Sequence, residues 1–356
     1  MEEVQKNRIK GVNIVFLVTI LISVIVPFLP LDFLWERPVL QIGFSQVIIV
    51  LPAIIYMLAN RLPYAETVRL KKMRFLDIVL PILFGILIQP VITLINALSM
   101  VFSTNTTGMS ILGIAEQIPF LGGVLLIAVL PAVLEESVYR GVFYNEYSKI
   151  NPLKAAILSG LLFGVMHGNI NQFCYAAVMG FTFALLIEAT GSILSTMLVH
   201  FWTNAGSVAM LYLYPKLYEV AQSFYNMYKE YGNESMASML EASFGDMTQP
   251  ANEWVRQMMS SAALLELSVP QVLILYGPQA LFMGALAILV YKKLAMRNGN
   301  WERICSYFKK QPNQKEDNIS LEVVPKQRMI TIPLVIAIVI GVAFMIVYEI
   351  LVQRTV

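Results

Sequence analysis

The stretch 130–140, which reads LPAVLEESVYR, places two adjacent carboxylates and an arginine inside an apolar segment that begins near Ile118. Charges at such a depth in hydrocarbon are costly, so they need a partner, a water-filled cavity or a function. Glu136 and Arg140 are four residues apart, one helical turn, and can neutralise each other. Glu135 points about 100° away around the helix and is left without that cation. An unpaired carboxylate in an apolar wall is a candidate proton acceptor.

The composition of the whole chain is that of a membrane protein. Of its 356 residues, 57% are hydrophobic and 13% are charged. A soluble domain carries more charge and interrupts its apolar runs sooner. Here the apolar runs are continuous and long enough to cross a bilayer, unlike the short alternating strands of a membrane barrel. We therefore predict an all-α, polytopic transmembrane helical bundle that contacts membrane lipid, and nothing in the sequence suggests a nucleic-acid partner.

The apolar runs predict nine spans. They lie at 12–34, 39–58, 76–102, 118–139, 155–167, 170–189, 192–214, 269–291 and 329–351.

The basic residues predict the orientation of these spans. In the nine-span arrangement, 20 of the 25 Lys and Arg residues fall on one side, in the N-terminus and in the second, fourth and eighth connections. By the positive-inside rule that side is the cytoplasm, so the N-terminus is predicted to be cytoplasmic and the C-terminus outside. On the outer side, 215–267 is expected to form short amphipathic helices. The polar segment 298–327 is expected to be a flexible inner loop that anionic lipid can hold.

Equal helix lengths place a histidine opposite Glu135. The fourth and fifth spans are joined at Asn151, and Glu135 and His167 each lie 16 residues from that turn. In an antiparallel hairpin, equal counts mean equal depth, about 24 Å from the turn at 1.5 Å per residue. The two side chains can therefore meet. His200 and Asn204 lie one turn apart on the seventh span, at a depth that the sequence does not fix.

These residue types suit hydrolysis by an activated water. A carboxylate and an imidazole at one depth can hold and deprotonate a water, and a second imidazole with an amide can stabilise a developing oxyanion. Glu135, His167 and His200 also form the two-nitrogen, one-oxygen ligand set of catalytic zinc sites, so zinc remains an alternative. Purely structural roles remain open too, because membrane histidines can simply join helices by hydrogen bonds.

The order of the motifs resembles that of a known family over about residues 118–210. The motifs are Glu135-Glu136-x-x-x-Arg140, then Phe163-x-x-x-His167, then His200-x-x-x-Asn204 on successive spans. They resemble the CAAX protease and bacteriocin-processing family (CPBP, also called Abi), which includes the type II CAAX prenyl endopeptidases.

The resemblance implies an intramembrane endopeptidase with a conical cavity that faces the cytoplasm. It implies Glu135 as general base, His167 as its partner on the water, and His200 with Asn204 as the oxyanion hole. Glu136 and Arg140 would brace the site. Members of the family have been described both as metalloproteases and as glutamate-dependent proteases, so zinc bound by Glu135, His167 and His200 stays open.

On this interpretation the chain divides into four parts and acts in a bacterial plasma membrane. The parts are N-terminal helices (1–117), a catalytic core (118–214), an extracytoplasmic loop (215–267) and C-terminal helices with a basic inner loop (268–356). The expected substrate is a membrane-associated or lipidated peptide or protein, which enters from the cytoplasm or laterally from the bilayer.

Two other functional classes remain open from the sequence. A proton-coupled transporter would also bury Glu, His and Arg at mid-membrane, although such carriers usually show inverted repeats and the sequence shows none. A catalytically silent scaffold that acts through its outer loop would tolerate the loss of Glu135.

Overall fold

A computed structural model describes residues 2–104, 106–259, 267–309 and 328–354. Within these ranges the chain forms helices and no strands, which confirms the predicted all-α polytopic bundle. The main helices are α1 (Glu2–Ile25), α2 (Pro38–Ala59), α3 (Phe75–Met100), α4 (Thr106–Ala115), α5 (Phe120–Ser148), α6 (Pro152–Met166), α7 (Ile170–Thr190), α8 (Leu194–Glu230), α9 (Glu234–Phe244), α10 (Ala251–Met259), α11 (Val269–Arg297), α12 (Trp301–Ser306) and α13 (Ile332–Gln353).

The predicted count of nine spans is not confirmed. Among the described helices, seven are long and apolar enough to cross a membrane. The fifth predicted span corresponds to α6, which has 15 residues. Its length of about 22 Å is less than the roughly 30 Å of bilayer hydrocarbon. The seventh corresponds to α8, which has 37 residues and carries the polar His200 and Asn204.

The helix α5 is not regular along its length. A short α-helical stretch, Leu130–Glu136, lies between two π-helical stretches, Val124–Val129 and Ser137–Tyr144. Stretches of π-helix are rare and occur frequently at functional sites. Between residues 124 and 144, the 3.6-residue period assumed for this span therefore holds only around the two glutamates. The altered winding on either side sets how the remaining side chains of α5 face their neighbours.

Glycines bring α6 and α7 into close contact. A Cβ atom on Gly160 would lie 2.6 Å from the carbonyl oxygen of Ala177 and 2.7 Å from the amide nitrogen of Phe181. A Cβ atom on Gly180 would lie 2.7 Å from the Cα of Gly160. Small residues at such crossings let membrane helices approach closely. The crossing fixes α6, and with it Phe163, against the centre of the bundle.

Arg140 is a core residue of this bundle. Its side chain is buried, and its Nη1 donates to Glu136 Oε1 at 3.0 Å. The guanidinium carbon lies 4.3 Å from the ring centroid of Phe163 and 5.1 Å from that of Phe183. The prediction that Arg140 belongs to the basic connection after the fourth span was wrong. The apolar helix continues past Arg140 to Ser148, so the charge lies inside the protein.

Glu188 joins two basic connections on one face of the bundle. Its carboxylate lies 3.0 Å from Arg69 Nη1 and 2.7 Å from Arg303 Nη1, and it accepts from the Tyr307 hydroxyl at 2.7 Å. Burial and the Glu188 carboxylate raise the pKa of the Tyr307 phenol, which therefore stays protonated and donates. The first part of the predicted flexible loop, 298–309, is thus docked on the bundle. Residues 310–327 lie outside the described residues.

The opposite end carries a folded cap built from residues 215–259. The helix α8 continues through the predicted boundary at 214, and α9 and α10 fold back against it. The rings of Tyr218 and Trp254 stack with centroids 4.9 Å apart, and Trp254 Nε1 donates to the carbonyl of Phe244 at 2.7 Å. Arg256 pairs with Glu116 at 2.8 Å and ties the cap to the segment before α5. The rest of the predicted loop, 260–266, lies outside the described residues.

The glycine crossing predicts a difference between two Gly→Ala variants. We expect Gly160→Ala to lower the free energy of unfolding by about 1–3 kcal/mol, because its methyl group would clash with the backbone of α7. Gly277→Ala is the control, since no atom outside its own helix lies within 4 Å of its added methyl group. The measurement is the thermal unfolding midpoint of the purified protein in detergent. Equal midpoints for both variants would contradict this account of the crossing.

The buried ion pair predicts a second difference. Arg140→Ala leaves Glu136 as a buried charge without its cation, which costs about 3–5 kcal/mol in comparable pairs. Lys149→Ala is the matched control, because Lys149 is exposed and its buried partner Glu146 keeps a second cation, Arg8, at 3.7 Å. We expect this loss to cost about 0–1 kcal/mol, as for pairs with an exposed cation. We expect membrane levels of the folded protein to fall in the first variant only, and equal levels would refute a stabilising role for the pair.

Candidate active site

One cavity brings together all four residues predicted to be catalytic. Its volume is about 720 Å³, and Glu135, His167, His200 and Asn204 all line it. A second cavity of about 390 Å³, between α1, α2 and α13, is also lined by Glu135 and His167. The two cavities adjoin at these two side chains. The four side chains therefore line cavities that are large enough to hold water, and they are not enclosed by close-packed side chains.

Glu135 has different neighbours from those the sequence suggested. The prediction that Glu135 does not pair with Arg140 agrees with the structure. Its Oε1 instead accepts a hydrogen bond from Gln46 Nε2 at 2.9 Å. Its Oε2 lies 3.9 Å from His200 Nε2. Gln46 was not predicted from the sequence. Its signal was an amide side chain near the middle of the apolar second span, where a polar group needs a partner.

His200 lies between the two glutamates. Its Nδ1 is 2.9 Å from Glu136 Oε1, and its Nε2 faces Glu135. A carboxylate paired with an arginine accepts hydrogen bonds, so Nδ1 of His200 carries a proton. The 3.9 Å gap to Glu135 is too long for a direct hydrogen bond and is a distance that one water can bridge. Arg140, Glu136 and His200 thus form a buried chain that ends at Glu135.

Phe163 orients His167. The helix α6 ends at Met166, and His167 follows as its C-cap residue, with Nδ1 2.7 Å from the carbonyl oxygen of Phe163. Because a carbonyl oxygen can only accept, His167 Nδ1 carries the proton and Nε2 keeps a lone pair. The Phe163 ring contacts both imidazoles edge-on, with centroids 4.8 Å from His167 and 6.0 Å from His200. The spacing of the Phe163-x-x-x-His167 motif is therefore that of one turn closed by a hydrogen bond.

Asn204 is held by the first π-helical stretch of α5. Its Nδ2 donates to the carbonyl oxygen of Ile127 at 3.0 Å. A carboxamide nitrogen carries two N–H groups, so a second donor remains. His200 and Asn204, one turn apart on α8, line the same wall of the cavity as expected from their spacing.

The ligand set suggested for zinc does not converge. Among the described residues, no three His, Cys, Asp or Glu side chains are grouped closely enough to hold a metal ion. His200 Nδ1 is bonded to Glu136 and His167 Nδ1 to a backbone carbonyl, so Nε2 of each ring stays available. As placed, however, Glu135, His167 and His200 are not grouped closely enough to fit a zinc ion.

Comparison with known proteins points to the same part of the chain. Residues 117–206 match the family model described as type II CAAX prenyl endopeptidase Rce1-like. A relative from Bacillus subtilis (strain 168), named "Putative membrane peptidase YdiL", is 28% identical over 109 residues, which cover 30% of this chain and 43% of that protein. The match thus spans less than half of the relative's length. No solved structure matches the chain.

The matched segment contains all three motifs and runs from the start of α5 into α8. The resemblance found in the motifs is thereby confirmed, and the helices around them are those of an integral, multi-pass membrane protein. Residues 117–206 are thus similar to the Rce1-like, CAAX protease and bacteriocin-processing family of membrane proteins.

Proposed function

We propose that this protein is an intramembrane endopeptidase that hydrolyses a peptide bond with a water activated by Glu135. The substrate would be a membrane-associated or lipidated peptide or protein. The observation that carries the proposal is the single cavity that Glu135, His167, His200 and Asn204 all line. The match to a family of CAAX-type membrane proteases supports the same conclusion for the reaction class.

The geometry suggests how the water is held and deprotonated. Gln46 fixes one oxygen of Glu135, which leaves Oε2 to accept a proton from a water in the cavity. His167 Nε2, free because Nδ1 is bonded to Phe163, accepts the second hydrogen of that water. The water oxygen then attacks the scissile carbonyl, and the proton on Glu135 passes to the leaving amine as the C–N bond breaks.

The oxyanion formed by this attack needs hydrogen-bond donors. Asn204 retains one N–H, and His200, one turn away on α8, is the candidate for the second donor. The positioning residues are thus Glu136 and Arg140, which act through His200.

The removal of the proposed base tests the reaction. Glu135→Gln can still accept from Gln46, so the fold should be kept while cleavage falls by about 10²–10⁴-fold, the contribution of a general base. Cleavage is measured by mass spectrometry of membrane peptides from cells that express each variant. Glu253→Gln, an exposed carboxylate of the cap, is the control and should cleave as the parent does.

The same experiment separates the competing classes. A scaffold or a transporter would give the same peptides with Glu135→Gln as with the parent protein, at equal membrane levels. That result would contradict the proposed reaction.

A second test concerns metal. Because the activated water is held by Glu135 and His167 alone, we expect cleavage by the purified protein to continue unchanged in EDTA or phenanthroline. The measurement is the rate of peptide release before and after chelation. A loss of activity that added Zn²⁺ restores would show that the residues rearrange into the ligand set that the sequence left open.

A further inference from the structure

The cavity occupies only one half of the bundle. The helices that line the two adjoining cavities do so mostly with the half that lies farther from the basic connections. The exception is α8, which begins beside the basic face and lines the larger cavity from 200 onward before it continues into the cap. The lining positions are 23–27 of α1 and the segment after it, 41–49 of α2, 89–96 of α3, 127–139 of α5, 163–169 at the end of α6, 171–179 of α7, 200–214 of α8 and 344–348 of α13, joined by 108 and 111 of α4. No lining residue comes from the described ends that carry the connections 60–74, 149–151 or 298–309.

The two ends of the bundle differ strongly in charge. With Arg140 assigned to the core, 19 of the 25 Lys and Arg residues belong to the N-terminus and to the second, fourth and eighth connections. These connections share one face. Arg69 of the second and Arg303 of the eighth both contact Glu188. Arg69 also donates to Ser148 Oγ at 3.0 Å beside the fourth connection, and Arg8 of the N-terminus lies 3.7 Å from Glu146 there. At the other end, the cap 215–259 has six acidic and three basic residues.

Two expectations from the sequence therefore cannot both hold. If the basic face is cytoplasmic, the cavity does not face the cytoplasm. The positive-inside bias reflects how connections with Lys and Arg are retained during insertion, and it is counted over short connections like these. A cavity orientation carried over from a resemblance has no such physical basis in this chain.

We propose that the cavity opens to the extracytoplasmic side and takes a peptide bond presented in the outer half of the bilayer. This proposal rests on the proposed function and specifies its substrate. Cytoplasmic entry, expected from the sequence, is thereby replaced by entry through the end that carries α4 and the cap.

The lining of the cavity also restricts the substrate's chemistry. Among its described lining residues, Glu135 is the only Asp, Glu, Lys or Arg side chain, and the other polar groups are hydroxyls, amides and the two imidazoles. No lining cation is present to bind a terminal carboxylate or a phosphate. Gln46 Oε1 is buried and has no partner among the described protein atoms, so it can accept a backbone N–H. The cavity thus fits an uncharged internal segment of a peptide.

Cysteine labelling tests the orientation in the full-length protein. The background is Cys174→Ser with Cys305→Ser, which removes both native thiols. Ser207→Cys places a thiol on the cavity wall, where Ser207 is exposed to the cavity. Ser243→Cys in α9 is the control for the cap, and Ser306→Cys in α12 is the control for the basic face; both residues are exposed. The probe is a membrane-impermeant maleimide, applied to intact and to permeabilised cells.

We expect Ser207→Cys and Ser243→Cys to be labelled in intact cells to the same extent, and Ser306→Cys only after permeabilisation. Labelling of the cavity variant only after permeabilisation, or under neither condition, would overturn the proposal. Labelling does not require cleavage, so its failure is distinct from failure of the proposed reaction, which Glu135→Gln tests.

Discussion

The site depends on the compensation of buried charge around Arg140. A single carboxylate or guanidinium in this apolar bundle would cost several kcal/mol even after relaxation. Arg140 pairs with Glu136, Glu136 orients His200, and His200 faces Glu135. Each of these groups lowers the free-energy cost of burying its neighbour. The chain also explains why two adjacent glutamates occur together, since one neutralises the arginine and the other remains available to the cavity.

Packing turns this chain of charges into a rigid arrangement. The guanidinium of Arg140 lies against the rings of Phe163 and Phe183, and a methyl group on Gly180 would lie 3.0 Å from Arg140 Nη2. Cations over aromatic faces gain about 2 kcal/mol or more when desolvated. Phe163 also binds His167 through its carbonyl oxygen and separates the two imidazoles. The close approach of α6 and α7 is therefore a condition for the geometry of the site, because it brings this phenylalanine to the arginine.

Sequence reasoning reached the elements that depend on hydropathy and spacing. The all-α class, seven of the nine predicted spans and the placement of Glu135 and His167 on one cavity followed from apolar runs and equal residue counts. It did not reach the π-helical stretches of α5, because their altered period has no marker in the residue types. It missed Gln46, whose role depends on which helix packs beside α5. It misplaced Arg140, since the same residue could end a span or be compensated inside it.

Local sequence patterns also could not predict which end of the bundle the cavity occupies. That depends on which part of each helix lines the cavity, and this is determined only when α2, α3, α7 and α8 are packed together. By contrast, the basic face was readable from the sequence, and the contacts of Glu188 with Arg69 and Arg303 show those connections on one face.

The central claim is that Glu135 and His167 hold one water beside His200. The most direct measurement is a cryo-EM map of the protein in lipid nanodiscs, at a resolution that shows ordered water. The account predicts a water within hydrogen-bonding distance of Glu135 Oε2 and His167 Nε2, with Arg140 bonded to Glu136. A map in which these two side chains point into separate spaces, or in which Arg140 bonds to Glu135 instead, would contradict it.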